Sequence, residues 1–310
     1  MSPETQKVLI LGPAGFVGQQ LTSSFVDAKY CVVVADKSPE FLDQIPKEIE
    51  SRIVDLQSLD QIRDTLRKES PDVIVNSAGL IGFKSCKADP ELAFAVNSRA
   101  VQDLIDAALG LPNKPLLAQI STDAVFEGRN GGNYYEHDER RPASVYGKTK
   151  LEGDKYIEAS TLPWLIIRTA VVYGAYRYFH RTNRFIDDVL SHLRSGQPFE
   201  AMDDVINSPT FVINLCHGLL HLMEKECRGA YHVAGPEPLS KYQLAVKIAR
   251  IFNLNSQLIV PIQSAGRDNF SVYPGNTSLS IKKLTTTGFM PMRPSEGLRE
   301  LQTDSILTAL

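Results

Sequence analysis

Five runs of this chain are apolar along their whole length and rich in β-branched residues: KVLILG (7–12), CVVVAD (31–36), DVIVNSA (72–78), LLAQIST (116–122) and WLIIRTAVVYG (164–174). A strand with one wet face alternates apolar and polar residues, so runs without alternation must be covered on both faces. The stretches between them are long enough for a helix each. This combination predicts an α/β fold, a Rossmann-type doubly wound parallel sheet. After Gly174 the strand–helix rhythm breaks. AYRYFHRTNRFIDDVLSHLRSG is a basic, aromatic approach followed by an amphipathic helix, FVINLCHGLLHLMEKE reads as a helix against the sheet, and GAYHVAG with LSKYQLAVKIARIFNL adds a strand and another amphipathic helix.

The first run ends in GPAGFVG, which opens the helical stretch QQLTSSFVDAK. Gly12, Gly15 and Gly18, with Phe16 and Val17 between them, give a tight turn whose backbone can approach a pyrophosphate at a helix N-terminus. The spacing Gly-x-x-Gly-x-x-Gly differs from Gly-x-Gly-x-x-Gly, and a strand-to-helix turn takes glycine in any case. Context adds to it, because Asp36 ends the second run, where a carboxylate accepts hydrogen bonds from an adenosine ribose and repels a 2′-phosphate. Asp36 therefore leans the cofactor toward NADH over NADPH, and Lys37 softens that lean. Asp55, with Leu56, follows the expected third strand on the adenine side, and Ser77 and Ala78 close the DVIVNSA run. Residues 1–174 are expected to form a dinucleotide-binding domain with helix 211–225 packed on it, and 175–210 with 226–310 a smaller C-terminal lobe.

With 310 residues, 43% of them hydrophobic, the chain can bury a substantial core without staples. A formal charge of −3 gives no global field toward nucleic acid or an anionic membrane, so neither is expected as a partner. The four cysteines have no metal spacing, Cys31 and Cys216 lie in apolar runs and are expected in the core, and Leu219 and Leu220 likewise. His217 and His221, four apart, read as an ordinary helix face, and no metal is expected. The N-terminus has no signal-peptide layout and no apolar run reaches membrane-spanning length, so a cytoplasmic location is expected.

SVYGKTKLEG places Tyr146 and Lys150 four apart, on one side of a helix. Ser121, Thr122 and Asp123 stand at the end of the fifth run, at the sheet edge where ligands bind. With PDVIVNSAG, DPELAFAVNS, STDAVFEG, YYEHDERRPASVYGKTKLEGD, IIRTAVVYG and DDVINSPT, the chain resembles the extended short-chain dehydrogenases/reductases, and within them the dTDP-4-dehydrorhamnose reductase family. The resemblance runs from KVLILGPAGFVG to about Leu284. It implies an NAD(P)H-dependent oxidoreductase that reduces the 4-keto group of a nucleotide-activated 6-deoxy sugar, with the C-terminal lobe binding that small-molecule substrate. Tyr146 would then protonate the carbonyl oxygen, Thr122 would hydrogen-bond the same oxygen, and Lys150 would hold the nicotinamide ribose and lower the tyrosine pKa from its ordinary ~10, a task of roughly 4 kcal/mol. Asn97 matches an asparagine such proteins use near the site. Some relatives form dimers, which admits a homodimer here.

Several positions depart from the pattern. That branch usually carries Tyr where this chain has Ala124, Trp at Val171, Gln at Val205, Arg at Tyr273 and acids at Lys84 and Lys87. Ala124 also removes the acid a sugar dehydratase needs. The cofactor and proton machinery is intact while the sugar pocket is altered, and Arg177, Arg181, Arg184 and Arg267 are the alternatives that could supply positive charge elsewhere. Two other readings share these motifs: a non-catalytic cofactor-binding regulatory subunit, like the β subunit of methionine adenosyltransferase, and a nucleotide-sugar epimerase.

Overall fold

The structure is a computed structural model that describes residues 6–178, 184–264 and 274–303. Its elements run β1 (Lys7–Leu11), α1 (Phe16–Asp27), β2 (Cys31–Asp36), α2 (Pro39–Leu42), β3 (Glu50–Ile53), α3 (Leu59–Glu69), β4 (Val73–Asn76), α4 (Phe83–Ala88), α5 (Pro90–Phe94), a π-helical segment (Ala95–Arg99), α6 (Ala100–Leu109), β5 (Leu116–Thr122), a 3-10 turn (Asp123–Val125), α7 (Val145–Ala159) and β6 (Trp164–Tyr173). Then follow α8 (Arg184–Arg194), β7 (Phe199–Met202), β8 (Ile206–Asn207), β9 (Pro209–Phe211), α9 (Val212–Glu224), β10 (Gly229–His232), β11 (Leu239–Ser240), α10 (Lys241–Ile251), β12 (Ile259–Ile262), α11 (Lys282–Thr285) and α12 (Pro294–Thr303).

The main sheet has the order β10-β6-β5-β4-β1-β2-β3. β1 pairs in parallel with both β2 and β4, Leu11 lying opposite Ala35 on one side and Asn76 on the other. The chain winds outward from β1 to β3 and then crosses back to β4, so the strand order reverses between β1 and β4. Ligands of such sheets bind at that reversal, beyond the carboxyl ends of the strands. Each of the five apolar runs forms the strand it predicts. β4 is buried at all four positions, as a central strand covered on both faces must be. Cys31 corrects the expectation for it: β2 begins there, and this first residue is exposed while the next four are buried. Its register partner Lys7 is itself only half-buried, so the strand ends at this edge lie beyond the cover.

Two compact units divide the chain. One runs through Thr122 and takes in Val145–Ile167 and Leu220–Tyr231; the other holds Asp123–Ser144, Arg168–Leu219 and the chain from His232 onward. The first has a core of Leu9, Leu11, Val33, Ile74, Leu104, Leu117, Ile157 and Ile166 among others, contributed by strands and helices together. Burying such side chains stabilises by about 1.5–3 kcal/mol each against leaving them in water. α3 is fixed at its start by Ser58, which accepts from the Gln61 N–H, and at its end by Ser70 in the left-handed conformation. In the second unit, α8, α10 and α12 bury Ile186, Val189, Leu193, Leu244, Ile248, Leu298 and Leu301 against one another. A capping box of Ser240 and Gln243 starts α10. Cys216, Leu219 and Leu220 are buried as their apolar run predicts, while His217 is exposed. Among the described residues no helix is long and apolar enough to cross a membrane, and no cluster of three or more His, Cys, Asp or Glu could hold a metal ion.

Candidate active site

The turn after β1 is built on Gly12, whose φ of +76° suits glycine and whose absent Cβ would sit 2.7 Å from the backbone of Ala78. Gly18 packs directly on the Gly12 carbonyl and so seats α1 against the turn. Gly15 is different. It is the N-cap of α1 and brings no side-chain bond to the amides of the first turn, and a Cβ there would meet only the Gly12 oxygen at 3.4 Å. The first turn itself is Phe16, Val17 and Gly18. Beside the turn lies a cavity of about 340 Å³ lined by Gly12, Ala14, Gly15, Ala35, Asp36, Lys37, Val54, Asp55, Leu56, Gln57, Ser77, Ala78, Gly79, Leu80, Leu92 and Val96.

Asp36 is held rigidly in that wall. One carboxylate oxygen accepts from the Ser38 N–H at 3.1 Å and the other from the Ala14 N–H at 3.3 Å, so the carboxylate ties the end of β2 to the glycine turn. Carboxylate oxygens have about four acceptor positions, so roughly two remain for hydroxyl donors. Asp55 accepts from the N–H of Gln57, two residues on, at 3.0 Å. Ser77 donates to the Leu11 carbonyl at 2.7 Å and locks β4 to β1 where the strand order reverses.

Tyr146 lies in the first turn of α7, half-buried, with its ring edge-on to Phe83 at 5.8 Å between centroids. Lys150, one turn on, is 5% exposed and its Nζ donates to the Ile120 carbonyl at 2.8 Å. Burial pulls its pKa down from the usual lysine value, and the nearby Asp154 carboxylate opposes that shift. Thr122 is the buried last residue of β5. Asn97 sits in the π-helical segment; its Oδ1 accepts from the Leu80 N–H at 2.8 Å, and its Nδ2 donates to the Leu80 carbonyl at 2.9 Å and to Thr149 Oγ1 at 3.0 Å. Thr149 in turn donates to the Tyr146 carbonyl at 2.9 Å. The wall residue Leu80 is thus joined through Asn97 to the turn of α7 that carries Tyr146. π-helical segments of this sort occur often at functional sites.

Gly12, Gly15, Asp36, Lys37, Asp55, Leu56, Ser77 and Ala78, all singled out in the sequence, are brought together around the cavity. Phe16, Val17 and Gly18 stand in the adjoining helix turn, while Asn97, Tyr146 and Lys150 form the second cluster just described. Sequence reasoning missed Ala14, Ala35, Val54, Gln57, Gly79, Leu80, Leu92 and Val96 in the wall. Gly79 carried a signal only as the glycine that ends PDVIVNSAG; the structure supplies the reason, since a Cβ there would lie 2.9 Å from Asn97 Oδ1. Leu92 and Val96 carried none, because the packing of α5 and the π-helical segment places them.

Of the departures, Ala124 lies buried in the 3-10 turn after β5, Val205 is buried, and Lys84 and Lys87 are exposed. Val171 adopts φ +39° where the pairing of β6 with β9 shifts register between Ala170 and Val172. A bulge that forces a β-branched residue into this region stores strain. Arg184 is exposed within 3.7 Å of Asp188. Arg181, Arg267 and Tyr273 lie outside the described residues.

A sheet of this order, with a glycine turn at its reversal and a tyrosine–lysine helix packed on β5, defines an α/β protein of the Rossmann type with the layout of the extended short-chain dehydrogenases. The RmlD substrate binding domain matches residues 6–304, and the chain belongs to that family. Its relatives include a dTDP-4-dehydrorhamnose reductase of Aggregatibacter actinomycetemcomitans, 27% identical over 308 residues that span 96% of this chain and 97% of the relative. Methionine adenosyltransferase 2 subunit beta of Rattus norvegicus is 26% identical over 301 residues, 96% of this chain and 87% of that one. Among solved structures, the dTDP-4-dehydrorhamnose reductase of Bacillus anthracis in complex with NADP superposes with a TM-score of 0.81 at 22% identity, covering 96% of this chain and 98% of that one, a likeness of fold.

Proposed function

We propose that the protein is a nicotinamide-dependent reductase of a nucleotide-activated 4-keto-6-deoxy sugar, with a dTDP-linked hexose as the leading substrate. The observation that carries this reading is the bond path from the cavity wall at Leu80 through Asn97 and Thr149 to Tyr146, which couples a dinucleotide-type cavity to a tyrosine–lysine pair. The wall suits an adenosine dinucleotide: a glycine-lined helix N-terminus for the pyrophosphate, Asp36 and Asp55 as acceptors for ribose and adenine, and apolar Val54, Leu56 and Leu80 for the base. Asp36 favours NADH and Lys37 moderates that preference.

The reduced nicotinamide, when bound, supplies hydride to the carbonyl carbon. Tyr146 gives its phenolic proton to the carbonyl oxygen, Thr122 donates a hydrogen bond that fixes that oxygen, and Lys150 places positive charge where phenolate character develops. The second unit is read as the substrate-binding part, and Ala124, Val171 and Val205 as the positions that set which sugar fits.

The test measures binding of NADH and NADPH to the purified protein, then oxidation of each with a panel of nucleotide 4-keto sugars. Turnover is expected to fall roughly 10²–10⁴-fold in Tyr146→Phe while cofactor affinity is kept. Similarity to methionine adenosyltransferase 2 subunit beta favours a second reading, a cofactor-binding regulatory subunit. Tight cofactor binding without turnover on any sugar, together with co-purification of a methionine adenosyltransferase catalytic subunit, would establish it.

A further inference from the structure

Lys150 poses a problem that neither the glycine turn nor Tyr146 solves. An ammonium 5% exposed, donating to the Ile120 carbonyl, has given up its water to sit there, and burial disfavours its charge. A neutral amine there could not stabilise a phenolate.

Asp154 follows Lys150 by one helical turn on the same face of α7, and it is fully buried. Ser121 Oγ donates to Asp154 Oδ2 at 2.8 Å. Ile120 and Ser121 are consecutive in β5, so α7 grips this strand at two successive residues, once through the ammonium and once through the carboxylate. Burying a carboxylate is costly unless another charge and hydrogen bonds offset it, and a neutral residue of the same shape packs there more cheaply. The carboxylate therefore makes physical sense beside a buried cation.

We propose that Asp154 and Ser121 are positioning residues of this site: the carboxylate, aimed by the Ser121 hydroxyl, is the counter-charge that keeps Lys150 an ammonium seated on the Ile120 carbonyl. This rests on the reductase reading, in which Lys150 serves Tyr146 and the nicotinamide ribose.

The test is a double-mutant cycle read by calorimetric binding of NADPH and NADH to the full chain. Asp154→Asn and Lys150→Met are each expected to weaken binding roughly tenfold, and the double variant is expected to bind no more weakly than Lys150→Met alone. An Asp154 with a merely structural role would weaken binding by the same factor in both backgrounds. That result, or an unchanged affinity in Asp154→Asn, overturns the proposal. Ser121→Ala removes the hydroxyl without touching the charge; a loss of about threefold that vanishes in the Lys150→Met background is expected, and it carries the test if Asp154→Asn does not fold. A native protein that binds neither cofactor overturns the reductase reading and this proposal with it, whereas native binding with additive variants overturns this proposal alone.

Discussion

At the scale of single residues, the glycines of the first turn differ in what they do, and the difference is measurable. Gly12 combines φ +76° with a Cβ position 2.7 Å from Ala78, so Gly12→Ala meets both a left-handed penalty of about 1 kcal/mol and a clash with backbone. It is expected to destabilise the fold by about 2 kcal/mol or more, read as a lower urea midpoint. Gly15→Ala has ordinary room and negative φ, and it is expected to leave the midpoint within ~0.5 kcal/mol while weakening cofactor binding roughly tenfold, because its methyl group would occupy the approach to the helix N-terminus. Equal stability losses in the two variants would contradict this assignment. Both glycines were legible in the sequence as a triplet; their separate tasks were not, because spacing says nothing of what lies opposite each Cα. Val171 is illegible for a related reason: a valine in a run of β-branched residues gives no sign of a left-handed φ, which arises from the register shift against β9.

At the scale of elements, the long strands were legible because full burial leaves a whole-run apolar signature, and α7 because its tyrosine and lysine share a face. The short β7, β8, β9 and β11 were not, since their two to four residues lie in no apolar run, unlike the four-residue β4 and β10, which were anticipated in DVIVNSA and GAYHVAG. The π-helical segment was equally hidden. The sequence pointed to Asn97 only by resemblance, whereas the structure shows what the side chain holds: both backbone groups of Leu80 and the Thr149 hydroxyl. All three hydrogen bonds its amide makes are to the protein. Asn97→Asp keeps the shape but cannot donate to the Leu80 carbonyl or to Thr149 when ionised. It is expected to cost about 2–3 kcal/mol, measured as a shifted urea midpoint at constant m, and to lower the turnover rate by loosening the first turn of α7. A variant with native stability would show that the bond path from Leu80 to Tyr146 is incidental.

At the scale of the whole molecule, stability should depend on pH through a buried histidine that no motif marked. His232 is fully buried, and its Nδ1 donates to the Ser280 carbonyl at 3.1 Å. Burial, and then the charge of Arg168, push its pKa down to about 3. In the unfolded chain a histidine takes up its proton near pH ~6.5. Above that pH both states are neutral at this residue and its contribution does not change. Between about 6.5 and 3 the unfolded chain binds a proton that the folded one refuses, so stability is lost as the pH falls, by up to about 1.4 kcal/mol per pH unit. His232→Gln removes the titration. Urea unfolding at pH 7.5 and pH 5 should therefore show the native protein losing about 2 kcal/mol more than the variant over that interval, whatever the carboxylates common to both contribute. Equal losses would mean that the imidazole takes up its proton in the fold as readily as in the unfolded chain, and a smaller loss in the native protein that a negative partner, rather than burial, governs it.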